Sequence, residues 1–123
     1  MRPIIVCLCG ASRFALEFAR ANMLETLAGR IVLTLGVNLK VPGDLAALAL
    51  LETGDPRKVE VVKDMLDELH LRKIDLADEI LVLNVKGYIG ASTRAEIAHA
   101  VRRGKPVRYL SRCVSRGPTC SSL

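Results

Sequence analysis

The chain has 123 residues, half of them hydrophobic, and its 18 Lys and Arg against 13 Asp and Glu give a net charge of +5. This length fits one domain and excludes a two-domain enzyme, and the hydrophobic content suffices for a core without disulfides. The positive charge is local, because residues 97–123 carry six basic and no acidic residues. With no Trp and few aromatic residues to stack on bases, we expect a small anionic ligand rather than nucleic acid.

Two of the four cysteines, Cys7 and Cys9, lie in the first apolar run, where strand alternation points both thiols to one face. Their spacing is not that of a Cys-x-x-Cys redox or zinc pair, and no His cluster lies near them. We interpret them as buried reduced thiols and expect neither a metal nor a cofactor. The N-terminal apolar run is too short for a signal peptide or a membrane span, which predicts a cytoplasmic protein without a membrane partner.

Hydrophobic periodicity and turn residues predict strands that alternate with helices along the chain. The predicted elements are a strand at Ile4–Cys9 ended by Gly10, a helix at Phe14–Ala28 closed by Gly29, a strand at Ile31–Val37, a long helix from about Pro56 to Leu76, a strand at Glu79–Val85, a helix at Thr93–Arg103 and a strand at Val107–Leu110. This order predicts an α/β domain over residues 1–110: a doubly wound, Rossmann- or flavodoxin-like parallel sheet of four to five strands with helices on both faces. Such sheets bind ligands beyond the carboxyl ends of their strands, which selects Gly10–Arg13 and Lys86–Glu96 as the site.

Two segments do not fit this pattern. Leu45–Leu51 is apolar on every side, which predicts either a lid over the site or the interface of a homodimer or higher homo-oligomer. Residues 111–123 are rich in Ser and Arg, and we expect them to form a flexible C-terminal tail.

The loop after the first strand contains the residues Cys9, Gly10, Ala11, Ser12 and Arg13. A glycine turn, helical N–H groups, a hydroxyl and a guanidinium together can hold a phosphate. An ordinary turn with a serine N-cap explains the same five residues equally well.

The segment after the third strand carries two glycines, then hydroxyl side chains at a helix start, and then a glutamate. Its candidate binding residues are Tyr88, Gly90, Ser92 and Thr93, and its candidate catalytic residue is Glu96. Thr93-Arg94-Ala95-Glu96 also matches a capping box, in which Thr93 and Glu96 satisfy backbone donors without any substrate. The pattern alone favours the cap, and only the position at the ligand-binding edge of the sheet favours catalysis.

A third candidate is His70 on the long helix, with Asp67 one turn earlier. Asp67 could orient the imidazole and make an acid/base pair. A lone histidine on a helix is more often packed or solvated, and the pattern favours that alternative.

With these segments the chain resembles the nucleoside 2-deoxyribosyltransferase superfamily, which includes the nucleoside 5′-monophosphate N-glycosidases. The resemblance covers most of residues 4–110 and rests on Cys9-Gly10-Ala11-Ser12-Arg13, on Ile74-Asp75-Leu76-Ala77-Asp78 leading into Glu79–Val85, and on Gly90-x-Ser92-Thr93-x-x-Glu96-Ile97 with Ala98 and Ala100. It implies cleavage or exchange of an N-glycosidic bond, with Glu96 as the nucleophile that forms a glycosyl-enzyme. It also implies that Gly10, Ser12, Arg13 and Ser92 surround the 5′-phosphate.

Three departures from the family pattern define what we expect of this chain. His70 stands where the family commonly has an aspartate, Gly90 stands where the transferases have an acidic residue that contacts the base, and the tail lacks their matching residues. The resemblance therefore implies hydrolysis of a nucleotide rather than base exchange between nucleosides. A module that senses a nucleotide without turning it over is the alternative, and a phosphoribohydrolase of the lysine-decarboxylase-like fold ranks third because its Pro-Gly-Gly-x-Gly-Thr loop is absent.

Overall fold

The computed structural model describes residues 2–37 and 56–110, and for residues 56–61 it describes the backbone alone. The elements are β1 (Ile5–Gly10), α1 (Ala15–Leu27), β2 (Ile31–Leu33), α2 (Pro56–Leu76), β3 (Glu79–Leu83), α3 (Ala91–Arg102) and β4 (Val107–Tyr109), with a 3-10 turn at Val85–Gly87. Every predicted strand and helix is confirmed in kind and order. The predicted segments Leu45–Leu51 and 111–123 lie outside the described residues.

The four described strands form one parallel sheet in the order β2-β1-β3-β4. Strands β1 and β3 are neighbours, and Gly10 at the end of β1 is in register with Leu83 at the end of β3. The loops that follow these two strands therefore leave the sheet side by side. The predicted α/β class with a parallel sheet is confirmed.

Side chains of β1 and β3 alternate between two hydrophobic clusters. The first cluster joins the two strands to α2 and α3, and its buried members are Cys7, Cys9, Ile74, Ala77, Ile80, Val82 and Ala100. The second joins the same strands to α1, and its buried members are Val6, Leu8, Phe18, Ala21, Leu81 and Leu83. Because successive strand residues point to opposite faces, both faces of β1 and β3 are buried, which explains their continuous apolar sequence.

Two strands are shorter than the sequence predicts. Strand β2 ends at Leu33, and the next carbonyl, that of Thr34, accepts a hydrogen bond from Lys73 Nζ at 2.7 Å instead of pairing with β1. Strand β3 ends at Leu83 because the chain turns at once: Gly87 N donates to Asn84 O at 2.9 Å, and Lys86 has a left-handed φ of 53°. A left-handed residue cannot continue a strand.

Asp78, at the start of β3, connects the amino-terminal residues to the sheet. Its carboxylate accepts hydrogen bonds from the Arg2 guanidinium at 2.6 and 2.8 Å and from the Ile5 N–H at 2.8 Å. These bonds, first the one from Arg2, lower the pKa of Asp78 to about 2. This aspartate of the family-like segment therefore has a structural explanation that involves no ligand.

No helix among residues 2–37 and 56–110 combines the length and the apolar character that a bilayer crossing needs.

Candidate functional site

The loops after β1 and β3 meet at the carboxyl edge of the sheet. The Arg13 guanidinium lies over the Tyr88 ring, 4.4 Å from its centroid, and 5.0 Å from the centroid of Phe14. The rings of Phe14 and Tyr88 are also in edge-to-face contact at 6.1 Å. The loops after β1 and β3, where the sequence predicts the site, are thus in contact. We call the two contacting residues, Arg13 and Tyr88, the loop pair.

Gly10 is required by packing within the protein. A Cβ at this position would lie 3.0 Å from Leu83 Cβ and 3.3 Å from the Leu83 carbonyl oxygen. The glycine therefore permits β1 and β3 to lie close together, and close approach of a ligand is not needed to explain it. The preceding Cys9 is fully buried, whereas Ala11 and Ser12 are partly exposed.

Neither helix that starts at this edge has a side-chain N-cap. The N-cap of α1 is Phe14, so the alternative of Ser12 as the cap is wrong. The N-cap of α3 is Gly90, three residues before Thr93. The first backbone N–H groups of both helices therefore have no capping hydroxyl or carboxylate from their N-cap residues, a condition that favours anion binding.

The capping box that the sequence pattern favoured is not formed. Helix α3 begins at Ala91 rather than Thr93, so Thr93 and Glu96 lie inside the helix. Thr93 is 2% exposed, whereas Ser92 is exposed in the first turn. The helix starts early because Gly90 adopts an extended conformation and its carbonyl accepts the Arg94 N–H at 2.9 Å. Glu96 is thereby released from a capping role.

Glu96 instead directs its carboxyl group toward α2. Its Oε1 atom is buried and has no hydrogen-bond partner among the described residues, and it lies 4.0 Å from His70 Nε2. Burial raises the pKa of Glu96 to about 7, although the nearby His70 lowers it. The site thus contains a carboxyl group that can gain or lose a proton near neutral pH.

His70 is a buried side chain, 4% exposed, and it contacts β1 rather than solvent. Its Nε2 atom lies 3.7 Å from Cys7 Sγ and 3.6 Å from Cys9 Sγ. Its Nδ1 atom has no hydrogen-bond partner among the described residues. Burial lowers the pKa of His70, but Cys7 and Glu96 raise it by more, so the net shift is upward.

The proposed pairing of Asp67 with His70 is not formed. Asp67 is exposed and pairs with Lys63 one turn earlier, with Lys63 Nζ donating to Asp67 Oδ2 at 3.0 Å. Asp67 lies on the solvent side of α2, while the buried side carries His70 and Ile74.

The two thiols beside His70 have different protonation behaviour. A hydrogen bond from Cys9 lowers the pKa of Cys7, with a further contribution from His70, against the effect of burial. The pKa of Cys9 is raised well above its usual value by the Cys7 contact and by burial. Cys7 therefore ionises before Cys9, whose thiol donates to the Cys7 backbone carbonyl at 4.0 Å.

Cys7 is not recognisable as a functional candidate from the sequence, and Cys9 is predicted only as part of the loop after β1. We call Cys7, Cys9, His70 and Glu96 the buried cluster, and it lies between β1, α2 and α3. The alternation of Cys7 and Cys9 already indicated one shared face. The sequence does not show that His70 lies on the side of α2 that packs against this face of β1.

Comparison with protein-family models gave no match, and no curated protein matches the chain.

Proposed function

We propose that this protein is an N-glycosidase that hydrolyses a nucleoside 5′-monophosphate or a related nucleotide, with Glu96 as the nucleophile. The observation that carries the proposal is the position of the Glu96 carboxyl group. It is free of a capping role, has a buried oxygen without a hydrogen-bond partner among the described residues, and belongs to the helix that follows the loop after β3. A carboxylate held in this way has unused hydrogen-bonding capacity that a substrate can satisfy.

The position of the loop pair supports a phosphate-bearing substrate. Arg13 offers a guanidinium, and α1 and α3 both begin at this edge without side-chain caps. Helix N-termini and arginine together favour a dianion. In the proposed complex the 5′-phosphate lies against Ser12, Arg13 and Ser92, and the sugar extends toward Glu96.

The sheet order supports the same location. We infer that the domain is a doubly wound, flavodoxin-like sheet, since β2-β1-β3-β4 is the start of that strand order. In such sheets the strand order reverses between β1 and β3, and the crevice there is the usual ligand site. The loop pair joins the loops after those two strands.

In the proposed reaction the Glu96 carboxylate attacks C1′ of the sugar as the bond from C1′ to the base nitrogen breaks. The base leaves with the bonding electron pair and takes up a proton from solvent, and an ester joins C1′ to Glu96 Oε1 or Oε2. Water then attacks C1′ and loses a proton to solvent, which releases the sugar phosphate and restores the carboxylate. His70 Nε2 lies 4.0 Å from Glu96 Oε1, so we assign His70 a positioning role that acts through this carboxyl group.

The test is release of free base from a panel of ribo- and deoxyribonucleoside monophosphates. Glu96→Gln is expected to lower kcat by about three orders of magnitude or more, because an amide cannot form the ester intermediate. The matched control is Glu68→Gln, an exposed carboxylate on α2 that is expected to keep full activity. Base release that persists undiminished in Glu96→Gln would show that the proposal is wrong.

Two other outcomes assign a different function. Formation of a new nucleoside when a second free base is added would identify a deoxyribosyltransferase. Saturable binding of a nucleotide without base release over long incubation would identify a sensing module, and would contradict the enzymatic proposal.

A further inference from the structure

The buried cluster has a second property that glycosidic chemistry does not use. Two sulfurs, those of Cys7 and Cys9, lie at nearly equal distances of 3.7 and 3.6 Å from one nitrogen, His70 Nε2. These three potential ligand atoms all lie within 4.8 Å of one another, and all three residues are buried. Thiolate sulfur and imidazole nitrogen are the donors that Zn²⁺ prefers.

Hydrogen bonding alone accounts for only part of this arrangement. A neutral imidazole has a single acceptor nitrogen, and its lone pair can accept one thiol hydrogen well. The second sulfur lies at the same distance because Cys9, two residues further along β1, points to the same face as Cys7, so the strand presents two thiols to one nitrogen. A tetrahedral zinc with bonds of about 2.3 Å to sulfur and about 2.0–2.1 Å to nitrogen holds those ligands about 3.6 Å apart, close to both observed separations.

The candidate for a fourth donor is the Glu96 carboxyl group. Its Oε1 atom lies 4.0 Å from His70 Nε2, whereas a tetrahedral zinc would hold an oxygen and a nitrogen ligand about 3.4 Å apart. The carboxyl group is not among the three ligand atoms that lie within 4.8 Å of one another, so it takes the fourth position only after a rotation of the Glu96 side chain toward the sulfurs. The buried Oε1 atom has no hydrogen-bond partner among the described residues, so no described hydrogen bond of that atom opposes the rotation.

We propose that Cys7, Cys9 and His70 form a binding site for a thiophilic divalent cation such as Zn²⁺, with Glu96 at the fourth position. The ligands come from one strand and two helices, β1, α2 and α3, so the bound ion ties together elements that are far apart in the chain. Binding releases the thiol protons to solvent, and His70 coordinates through Nε2 with its proton on Nδ1. The sequence analysis expected no metal because it could not place His70 beside the thiols.

The experiment uses the full chain, stripped of metal with a chelator and kept reduced with a phosphine. Titration with Co²⁺ is expected to give one equivalent of tetrahedral cobalt, with thiolate-to-cobalt charge-transfer absorption that Zn²⁺ abolishes. Cys7→Ser and Cys9→Ser are each expected to remove about half of the charge-transfer absorption and, like His70→Asn, to weaken affinity at least about 100-fold. The control is the double variant Cys113→Ser and Cys120→Ser, which is expected to bind like the wild type.

X-ray absorption on the zinc-loaded wild type provides a measurement that does not depend on whether the variants fold. Two sulfur and two nitrogen or oxygen ligands are the expected coordination shell. A shell without sulfur, a shell with four sulfurs, or loss of the cobalt bands in the tail double variant would overturn the proposal.

A further expected result, suppression of base release by zinc, rests on the proposed function as well as on the metal site. If Glu96 is the nucleophile, zinc loading is expected to suppress base release at least about 100-fold, and a chelator to restore it. Zinc binding without any base release would refute the glycosidase alone, and base release without zinc binding would refute the metal site alone.

Discussion

Arg13 is an exposed side chain whose position is restricted by two aromatic rings. Its guanidinium packs on the Tyr88 ring, which restricts the rotamers of a long side chain before any ligand arrives. The planar face lies on the ring, and the N–H donors at the edge remain in the plane where a phosphate would bind. Stacking and phosphate binding are therefore compatible for the same residue.

Arg13→Ala is expected to raise the KM for a nucleoside monophosphate about 10- to 100-fold, the range of a charged hydrogen bond. The KM for the corresponding nucleoside, which lacks the phosphate, is expected to stay nearly constant. Steady-state kinetics on the two substrates measure the difference. Arg20→Ala, which removes an exposed arginine of α1, is the control, and an equal rise in both KM values would contradict phosphate recognition by Arg13.

At the scale of elements, polar side chains connect the ends of helices and strands. His99 on α3 and Asp75 on α2 are in contact, with 2.7 Å between Nε2 and Oδ1, and Arg103 lies 3.3 Å from the same carboxylate. Lys105 Nζ donates to the Asp75 carbonyl at 3.2 Å. The packing of α2 against α3, which brings His70 toward Glu96, is reinforced by these contacts at the carboxyl ends of the helices.

The contact of Asp78 with Arg2 and the Ile5 N–H leads to a prediction about pH. Because the folded-state pKa of Asp78 is about 2, below the unfolded value of about 4, this carboxylate stabilises the fold above pH 4. The contribution is lost as the pH falls from about 4 through 2. Urea unfolding of the wild type and Asp78→Asn should therefore differ at pH 7 and converge at low pH.

Arg2→Gln serves as the matched variant for this measurement. It removes the guanidinium but keeps the hydrogen bond from the Ile5 N–H, so at pH 7 a smaller loss of stability than in Asp78→Asn is expected. Because Arg2 is the main cause of the lowered pKa of Asp78, the stability of this variant is expected to change less with pH between about 4 and 2 than that of the wild type. A stability difference between wild type and Asp78→Asn that stays constant from pH 7 to pH 2 would contradict the assignment.

At the scale of the whole molecule, the described residues form one sheet with a hydrophobic cluster on each side. The oligomeric state is predicted from the sequence, which contains the apolar segment Leu45–Leu51. We propose a homodimer, because a small domain cannot easily bury a segment that is apolar on every side.

Light scattering at assay concentration is expected to give the mass of a dimer. Leu48→Asp, in the middle of the apolar segment, is expected to shift the population toward monomer because it places a charge in the interface. Circular dichroism checks that the variant stays folded. A wild type that is entirely monomeric at this concentration would refute the dimer.

The sequence was sufficient to predict the order of the elements, because strand and helix periodicities and the turn at Gly29 are local properties. It also predicted that the loops after β1 and β3 meet, since parallel strands place their carboxyl ends together. It could not predict the role of Glu96. The capping box is a local pattern, and the early start of α3 at Ala91 together with the position of His70 depends on tertiary packing.

Because side chains alternate along β1, the buried cluster is sensitive to a shift of this strand by one residue, which would not alter the hydrophobicity of the strand. Val6 and Leu8 pack toward α1, and Cys7 and Cys9 pack toward α2 and α3. Deleting or inserting one residue before Cys7 would exchange the two faces, sending both sulfurs to the α1 side and presenting aliphatic groups to His70. The strand would keep its apolar composition and its capacity to build a core. The position of the buried cluster thus depends on the phase of a four-residue alternation, which can be reversed with almost no change in amino-acid content.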